Sequence, residues 1–206
     1  AYEIRNCDWS SDVCSSDLIG LPELRDAVVA KTARDSGLQV SRQNVVISNG
    51  GKGALFSTFA ALVEPGDEVL LPAPYWVTYP EAIGVFGGVV VEIPTSIEDG
   101  FKATVEMLEA AATDRTKVLV FVSPSNPSGA VYTPDEVAAI GRWAAARGIW
   151  VVTDELYEHL VYGDAVHVSM PVVAPEVTER CVVVNGTAKS FAMTGWRSEE
   201  HTSELQ

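Results

Sequence analysis

Residues 181–196 read CVVVNGTAKSFAMTGW, an apolar run that passes into a polar segment containing two glycines. The apolar residues 181–184 predict a short buried strand, so Lys189 falls in the loop just beyond the carboxyl end of that strand. Open α/β sheets bind their ligands at the carboxyl ends of strands. Lys189 is therefore a candidate functional residue.

Two interpretations of Lys189 are open at this point. Lysine is rarely fully buried, so a loop lysine is ordinarily a solvated surface cation. Alternatively, Phe191, Met193 and Trp196 surround the amine with apolar groups. Such desolvation would lower its pKa from about 10.4 towards about 7 to 8, so that the amine could attack a carbonyl. The rest of the chain has to decide between the two.

Helical patterns alternate with short apolar runs from Leu21 onward. Helices, marked by Pro at a start or Gly after an end, are predicted over 21–37, 50–67, 76–88, 104–113 and 133–148. Strands are predicted over 45–48, 68–72, 89–94, 117–123, 149–155 and 181–186, and a surface excursion over 163–178. Continuous apolar strands between helices indicate an α/β fold, with a mostly parallel sheet between two helical layers (αβα).

Composition excludes several function classes. The formal net charge of −14 over 206 residues argues against nucleic-acid binding, which uses basic faces. The three cysteines are too few and too scattered for a disulfide framework, and they lack the spacing of metal ligands. No apolar run approaches the roughly 18 residues that span a bilayer, and no signal peptide is visible. We therefore predict a chain without nucleic-acid or membrane partners.

The two ends of the chain share an unusual property. Residues 7–18 (CDWSSDVCSSDL) and 197–206 (RSEEHTSELQ) can be back-translated into reverse complements of one nucleotide string that resembles a sequencing-library adaptor. Unrelated protein segments seldom share such a relation, so we predict that 1–18, adaptor-like from residue 7, and 198–206 are non-native. The remaining possibility is a genuine acidic, Ser-rich linker and tail. If the adaptor interpretation holds, Cys7–Leu18 should make few core contacts.

Polar residues follow several of the predicted strands. The strand 117–123 leads to Asn126, the strand 149–155 ends with Asp154 and is followed by Tyr157, and the last strand leads to Lys189. Because the carboxyl ends of parallel strands meet at one sheet edge, we expect an amide, a carboxylate, a phenol and an amine to converge on one crevice. Each has an ordinary interpretation too, since a buried Asp is usually paired with an arginine and Tyr usually fills a core gap.

A glycine-rich turn opens the helix that begins near residue 50. The sequence NGGKGALFS places Gly51 and Lys52 in the first turn, where unpaired amides and the positive end of the helix dipole can hold a phosphate. It is not a Walker A loop, because Lys52 is followed by Gly53 and not by Ser or Thr. A tight strand-to-helix turn would explain the same residues.

Together these segments resemble one family, the class I and II aminotransferases, which are pyridoxal-phosphate enzymes of fold type I. The resemblance covers nearly all of residues 20–196 and is closest to bacterial aspartate and prephenate aminotransferases. It rests on GLPELR, NGGKGAL, PGDEVLLPAPYW, SPSNPSGAVY, VVTDELYEHLVY and NGTAKSFAMTGWR, in this order. It implies that residues 19–197 form an incomplete large, cofactor-binding domain.

The resemblance assigns a role to each candidate residue. Lys189 resembles the lysine that bonds covalently to pyridoxal 5'-phosphate, and Asp154 resembles the partner of its ring nitrogen. Asn126 and Tyr157 resemble the residues that hydrogen-bond to the ring's phenolic oxygen, and Trp76 resembles the residue that stacks on the ring face. The phosphate is matched by Gly51 and Lys52, which resemble its backbone cradle, and by Arg197, which resembles the arginine that neutralises it. The resemblance also places Lys52, Trp76 and Asn126 at the substrate.

Two positions depart from the family pattern or overlap the ends of the chain. Gly186 stands where many relatives have a phosphate-binding Ser, and Thr187 is the nearby substitute. The codon of Arg197 would overlap the suspected adaptor, so its match is either native or accidental. The resemblance further implies that the Ala73–Pro74 and Asn126–Pro127 peptide bonds are cis.

The implied function is transfer of an amino group between an amino acid and a 2-oxo acid, and the implied substrates are aspartate or glutamate, or prephenate or an aromatic compound. A β-lyase or another fold type I reaction would use nearly the same residues, and an aminotransferase-like effector domain of a transcription regulator is a further alternative. The resemblance implies a cytoplasmic homodimer for the full-length protein. Because family elements lie outside this chain, we expect the 206-residue chain to be an incomplete fragment with little or no turnover.

Overall fold

A computed structural model describes residues 19–194. The chain divides into two compact units at the Ser48–Asn49 boundary, and we describe each by itself. The predictions for Cys7–Leu18, for the tail 198–206 and for Arg197 lie outside the described residues. Within the described part, no helix is both long enough and apolar enough to cross a bilayer.

Over residues 19–48, the first unit contains a long helix and a buried arginine. Helix α1, Pro22–Asp35, begins with Pro22 and is followed by a short 3-10 helix, Arg42–Asn44. Arg25 is buried, and its guanidinium donates from Nε to the carbonyl of Val45 at 2.8 Å and from Nη2 to the carbonyl of Arg42 at 2.6 Å. These bonds satisfy the buried cation and connect α1 to the 3-10 helix and to Val45 directly after it.

The predicted strand over 45–48 is wrong. Val45 is buried, whereas Val46 is 66% exposed, and no strand is assigned to this segment among the described residues. A backbone hydrogen bond from the Ile47 amide to the Ile19 carbonyl, 3.0 Å long, links it to the chain before α1. An apolar run forms a strand only where it meets a strand partner, and Val-Val-Ile does not meet one here.

The second unit is a five-stranded parallel sheet with helices on both faces, as the sequence predicts. All four strand pairs are parallel, and the spatial order is β2-β1-β3-β4-β5. The strands are β1 Glu68–Pro72, β2 Val89–Ile93, β3 Thr116–Val122, β4 Trp150–Asp154 and β5 Cys181–Val184. The helices are α2 Gly50–Leu62, α3 Thr78–Val85, α4 Val105–Ala111, α5 Pro134–Arg147 and the short α6 Met170–Val173.

Alternate residues of the strands supply two separate cores. On β1, Leu70 packs into the core beneath α4, α5 and α6, whereas Val69 and Leu71 pack into the core beneath α2 and α3. The same alternation on β3 separates Leu119 from Val118, because successive strand side chains point to opposite faces. Both faces of the sheet are therefore covered, which explains the continuous apolar runs in the sequence.

The predicted surface excursion over 163–178 is wrong for its second half, whereas Gly163, Asp164 and Val166 are exposed as predicted. Three residues are almost fully buried in the core beneath α5, namely Met170 of α6, Val177 of the 3-10 helix Pro175–Arg180, and Ala174 between these two elements. A Cβ at Gly141 of α5 would lie 2.5 Å from the Ala174 Cβ, so the two segments pack at very close range. The Pro-rich composition suggested a loop, but its apolar residues cover part of the sheet.

Both predicted cis peptide bonds are confirmed. Ala73–Pro74 and Asn126–Pro127 are cis, and Ser123–Pro124 is cis as well. Ala73–Pro74 follows β1 and the other two follow β3, at the carboxyl edge of the sheet. The chain therefore leaves the sheet through cis proline turns at two neighbouring strands.

Candidate active site

A cavity of about 110 Å³ lies at the carboxyl ends of β3 and β4. Five of the residues predicted from the sequence line it, namely Trp76, Asn126, Asp154, Tyr157 and Lys189. The remaining lining residues, Tyr79, Val122 and Leu156, were not predicted. The structure therefore brings the predicted amide, carboxylate, phenol and amine to one crevice. In particular, Asp154 and Lys189 share it, as any common ligand requires.

Asp154 is the last residue of β4, paired with Val122 of β3 and Val184 of β5. Its carboxylate is buried, accepting hydrogen bonds from the Tyr79 hydroxyl at 2.7 Å and from the Leu156 amide at 3.1 Å. Desolvation raises the pKa of Asp154 above its usual value, although both hydrogen bonds oppose that rise. Within residues 19–194 no ion pair of Asp154 is found, so its partner here is not the arginine of the ordinary interpretation.

Tyr79, on α3, is the residue that sequence reasoning missed. It is almost fully buried, and desolvation together with the neighbouring Asp154 charge raises the pKa of its phenol far above the usual value. The indole of Trp76 lies edge-on to its ring, with centroids 5.7 Å apart. The available signal was spacing, since Tyr79 lies three residues after Trp76, but nothing in the sequence connects it to Asp154.

Lys52 and Trp76 approach one another beside the cavity. The Lys52 ammonium lies 5.2 Å from the centroid of the Trp76 ring, within the range of a cation–π contact. Lys52 is solvent-exposed in the first turn of α2, whereas Trp76 is half-buried against the core. The exposed cation and the aromatic wall thus come from the two elements that the sequence singled out.

Leu156 occupies the space between two glycines. A Cβ at Gly51 would lie 2.8 Å from Leu156 Cδ1, and a Cβ at Gly186 would lie 3.2 Å from its Cδ2. Gly51 is buried in the first turn of α2, so its lack of a side chain lets the helix start approach Leu156. This is a packing reason for glycine that does not depend on any ligand.

Tyr157 and Asn126 complete the polar wall of the cavity. Tyr157 is half-buried, and burial together with the Asp154 charge raises the pKa of its phenol. Asn126 is also half-buried and follows β3 between Pro124 and Pro127, each of which is preceded by a cis peptide bond. An amide and a phenol therefore face the same space as the carboxylate.

Lys189 lies in a single turn after β5. The Phe191 amide donates to the Thr187 carbonyl and the Ala192 amide donates to the Lys189 carbonyl, each at 3.2 Å. Of the two interpretations of Lys189, the exposed lysine agrees with the described residues, because Lys189 is exposed and the Phe191 side chain beside it in sequence is 51% exposed. Trp196, the third residue of the proposed apolar surround, lies outside the described residues.

Comparison with known proteins identifies the family. The family model described as aminotransferase class I and II matches residues 14–198. The chain belongs to this family. It is 60% identical over 178 residues to an aspartate aminotransferase of Streptomyces avermitilis, a match that covers 86% of this chain and 44% of the relative. It is 49% identical, over the same length, to a probable aspartate/prephenate aminotransferase of Thermus aquaticus.

Solved aminotransferase structures share the fold. An aspartate aminotransferase of Thermus thermophilus, solved with maleate, matches at a TM-score of 0.83 and 48% identity over 87% of this chain and 46% of that one. An aspartate aminotransferase of Rhizobium meliloti matches at a TM-score of 0.85 and 38% identity. The chain spans less than half the length of these aminotransferases.

The donor set fits pyridoxal phosphate, the cofactor that the aminotransferase family implies. A protonated ring nitrogen needs a buried carboxylate with an acceptor position to spare, and Asp154 offers one, since the structure records a single donor on each of its oxygens. An aromatic ring face needs an apolar wall, which Trp76 provides. An aldehyde needs an amine, and the Lys189 side chain lines the same cavity.

Proposed function

We propose that this chain is the cofactor-binding part of a pyridoxal-phosphate-dependent aminotransferase, which moves an amino group between an amino acid and a 2-oxo acid. The observation that carries the proposal is the shared cavity of Asp154 and Lys189, with Trp76 on its wall. A buried carboxylate and an accessible amine facing one space are the two groups that an aldehyde-bearing pyridine requires. Family membership supports the reaction class.

The proposed roles follow from the position of each side chain. Asp154 would hold the cofactor's ring nitrogen, Asn126 and Tyr157 its phenolic oxygen, and Trp76 the ring face. The amides of Gly51 and Lys52, in the first turn of α2, would bind the phosphate. Pyridoxal phosphate, when bound, supplies an electron sink for the carbanion that forms when the substrate loses its Cα proton.

Lys189 would bind the cofactor covalently in the resting protein and, once displaced by substrate, transfer a proton as base and acid. Its exposure in the described residues leaves the amine accessible for both tasks. Asp154 would keep the adjacent ring nitrogen protonated, since its carboxylate is already oriented by two donors. Arg197, outside the described residues, stays a prediction as a further phosphate ligand.

We propose aspartate, glutamate or prephenate as the substrate class. Lys52 is exposed and lies against the Trp76 ring, so a distal carboxylate beside that ring would meet its ammonium. The related Thermus thermophilus aspartate aminotransferase was solved with maleate, a dicarboxylic acid. An aromatic substrate would use the indole face instead, and product analysis separates both from a β-lyase, which releases ammonia.

The full-length protein is proposed to act as a cytoplasmic homodimer, as the family relation suggests. The isolated chain spans less than half of its relatives, so we expect little or no turnover from it. A rate comparable to that of full-length aminotransferases from these 206 residues would show this expectation to be wrong. The size of the full-length protein in solution tests the dimer.

An absorbance scan tests the central assignment. Purified chain mixed with pyridoxal phosphate is expected to develop a visible band, and borohydride reduction should attach the cofactor to Lys189, as peptide mass mapping would reveal. Lys189→Ala should show neither the visible band nor the attached cofactor. Lys117→Ala is the matched control, because Lys117 is paired with Asp67 and does not line the cavity.

An equal band in Lys189→Ala and in the unchanged chain would refute the proposed role of the lysine. Labelling spread over several surface lysines would do the same. Loss of the band in Lys117→Ala as well would show that the signal reports protein integrity, so circular dichroism spectra of all three proteins accompany the scan.

A further inference from the structure

We propose that Tyr79 is a positioning residue of the candidate active site, whose hydroxyl orients the Asp154 carboxylate and stabilises it as an anion facing the cavity. The inference deepens the proposed function, because it concerns the carboxylate that would hold the cofactor's ring nitrogen. It adds a residue to the site that the sequence did not indicate.

The geometry gives the carboxylate two fixed points from two different elements. The Tyr79 hydroxyl of α3 donates to Oδ2 at 2.7 Å, and the Leu156 amide, just after β4, donates to Oδ1 at 3.1 Å. Tyr79 and Asp154 are both nearly inaccessible to solvent, so water does not compete readily for the phenol–carboxylate bond. With one donor on each oxygen, the plane of the carboxylate is set before any ligand arrives.

Apart from the two hydrogen bonds that Asp154 accepts from Tyr79 and Leu156, its surroundings disfavour the charged form of its carboxylate. The titratable groups that face it from neighbouring elements are Tyr79 on α3, Glu155 and Tyr157 after β4, and Lys189 on the wall of the same cavity. From the adjacent strands the paired residues, Val122 and Val184, are uncharged. Burial raises the pKa of Asp154 and the Glu155 charge raises it further, whereas the Tyr79 hydroxyl lowers it.

Tyrosine suits this position for a second reason. Its ring is perpendicular to the indole of Trp76, with centroids 5.7 Å apart and an interplanar angle of 89°, so one side chain packs against the proposed ring-stacking residue and hydrogen-bonds to the proposed partner of the ring nitrogen. The hydroxyl can be removed without removing the ring. Tyr79→Phe therefore separates the hydrogen bond from the packing.

The test measures Asp154 in the absence of cofactor. Carboxyl ¹³C NMR titration of the chain, with the Asp154 signal assigned through Asp154→Asn, gives the protonation midpoint. In Tyr79→Phe we expect the proton affinity of Asp154 to rise about ten- to hundredfold, the range for losing a hydrogen bond to a charged group. Tyr75→Phe is the matched control, since its hydroxyl donates to the carboxylate of Glu92 at 2.8 Å at the surface.

An unchanged Asp154 midpoint in Tyr79→Phe, or an equal change in Tyr75→Phe, would overturn the inference. A measurement on the unmutated chain covers the case that Tyr79→Phe does not fold. There the Tyr79 hydroxyl proton should exchange slowly with solvent, and a freely exchanging hydroxyl would overturn the inference equally.

Pyridoxal-phosphate affinity of the same proteins distinguishes this inference from the proposed function. We expect several-fold weaker binding for Tyr79→Phe and unchanged binding for Tyr75→Phe. If the unmutated chain and Lys189→Ala handle the cofactor identically, the proposed function fails, while the NMR midpoints still decide whether Tyr79 controls Asp154. If binding is normal and the midpoints do not differ, the Tyr79 inference alone fails.

Discussion

Replacing Gly51 by alanine tests the close packing at the start of α2. The new Cβ would lie 2.8 Å from Leu156 Cδ1, whereas ordinary van der Waals contact begins at 3.4 Å. Alanine in a helix raises the free energy of unfolding by about 0.5–1 kcal/mol over glycine, but here the Leu156 side chain has to shift to admit the new methyl group, and such overpacking costs about 1–3 kcal/mol. We therefore expect Gly51→Ala to lower the free energy of unfolding by about 1 kcal/mol.

Gly84→Ala is the matched control for this prediction. Gly84 also lies within a helix, α3, and among the described residues nothing lies within 4 Å of a Cβ placed there. The free energy of unfolding of Gly84→Ala should rise by about 0.5–1 kcal/mol, so the two alanine variants should differ in this quantity by about 1–3 kcal/mol. Urea unfolding followed by far-UV circular dichroism measures both variants. The dependence of the unfolding free energy on urea concentration should be the same for each, so that the midpoints report stability alone.

A double-mutant cycle with Leu156→Ala identifies the clash as the cause. Truncating Leu156 removes the atom that the new Cβ meets, so the combined loss should be smaller than the sum of the single losses by about 0.5–3 kcal/mol. Because Leu156 lines the cavity, Gly51→Ala should also weaken pyridoxal-phosphate binding. If Gly51→Ala proves as stable as Gly84→Ala, or if the cycle is additive, the packing argument is refuted.

Two further predictions concern the second unit. Thr133 caps α5 in a reciprocal capping box with Glu136, so Thr133→Ala should lower the free energy of unfolding in urea by about 1 kcal/mol. Thr133→Ser keeps the hydroxyl and should therefore keep most of the stability. An equal loss in both variants would contradict the capping role. Hydrogen bonds from Thr113 and from Arg115 lower the pKa of Glu68. The charged Glu68 therefore stabilises the folded state at pH values above its pKa in the unfolded chain, about 4.3, and this contribution is lost as pH falls through its pKa in the folded state. The stability gap between the wild type and Glu68→Gln should therefore shrink from pH 7 towards pH 3, and a pH-independent gap would contradict the argument.

Much of the fold follows from local patterns in the sequence. All five strands of the sheet and the helices α1 to α5 lie where apolar runs and helix punctuation predict them, with differences of a few residues at the ends. The parallel arrangement also follows, because strands without polar alternation must be covered on both faces. The placement of Asp154 and Lys189 at one sheet edge follows from that topology.

The two wrong predictions share a physical cause. Residues 45–48 have the composition of a strand, and 163–178 have the composition of a loop, but each segment's state depends on its tertiary neighbours. Val46 is exposed because no strand lies beside it among the described residues, and Met170 is buried because α5 presents Gly141 to its segment. Propensity describes a segment in isolation, whereas packing decides whether its apolar side chains are covered.

The sequence alone determined where the helices and strands lie, which polar residues follow the strands, and the family to which those residues point. Only the tertiary structure decided that the Tyr79 hydroxyl meets Asp154 across 75 residues of chain and that Leu156 fits between two glycines. Periodicity and turn chemistry act over a few residues and can be read locally. A contact between distant residues depends on strand register and helix placement, which the whole core sets together.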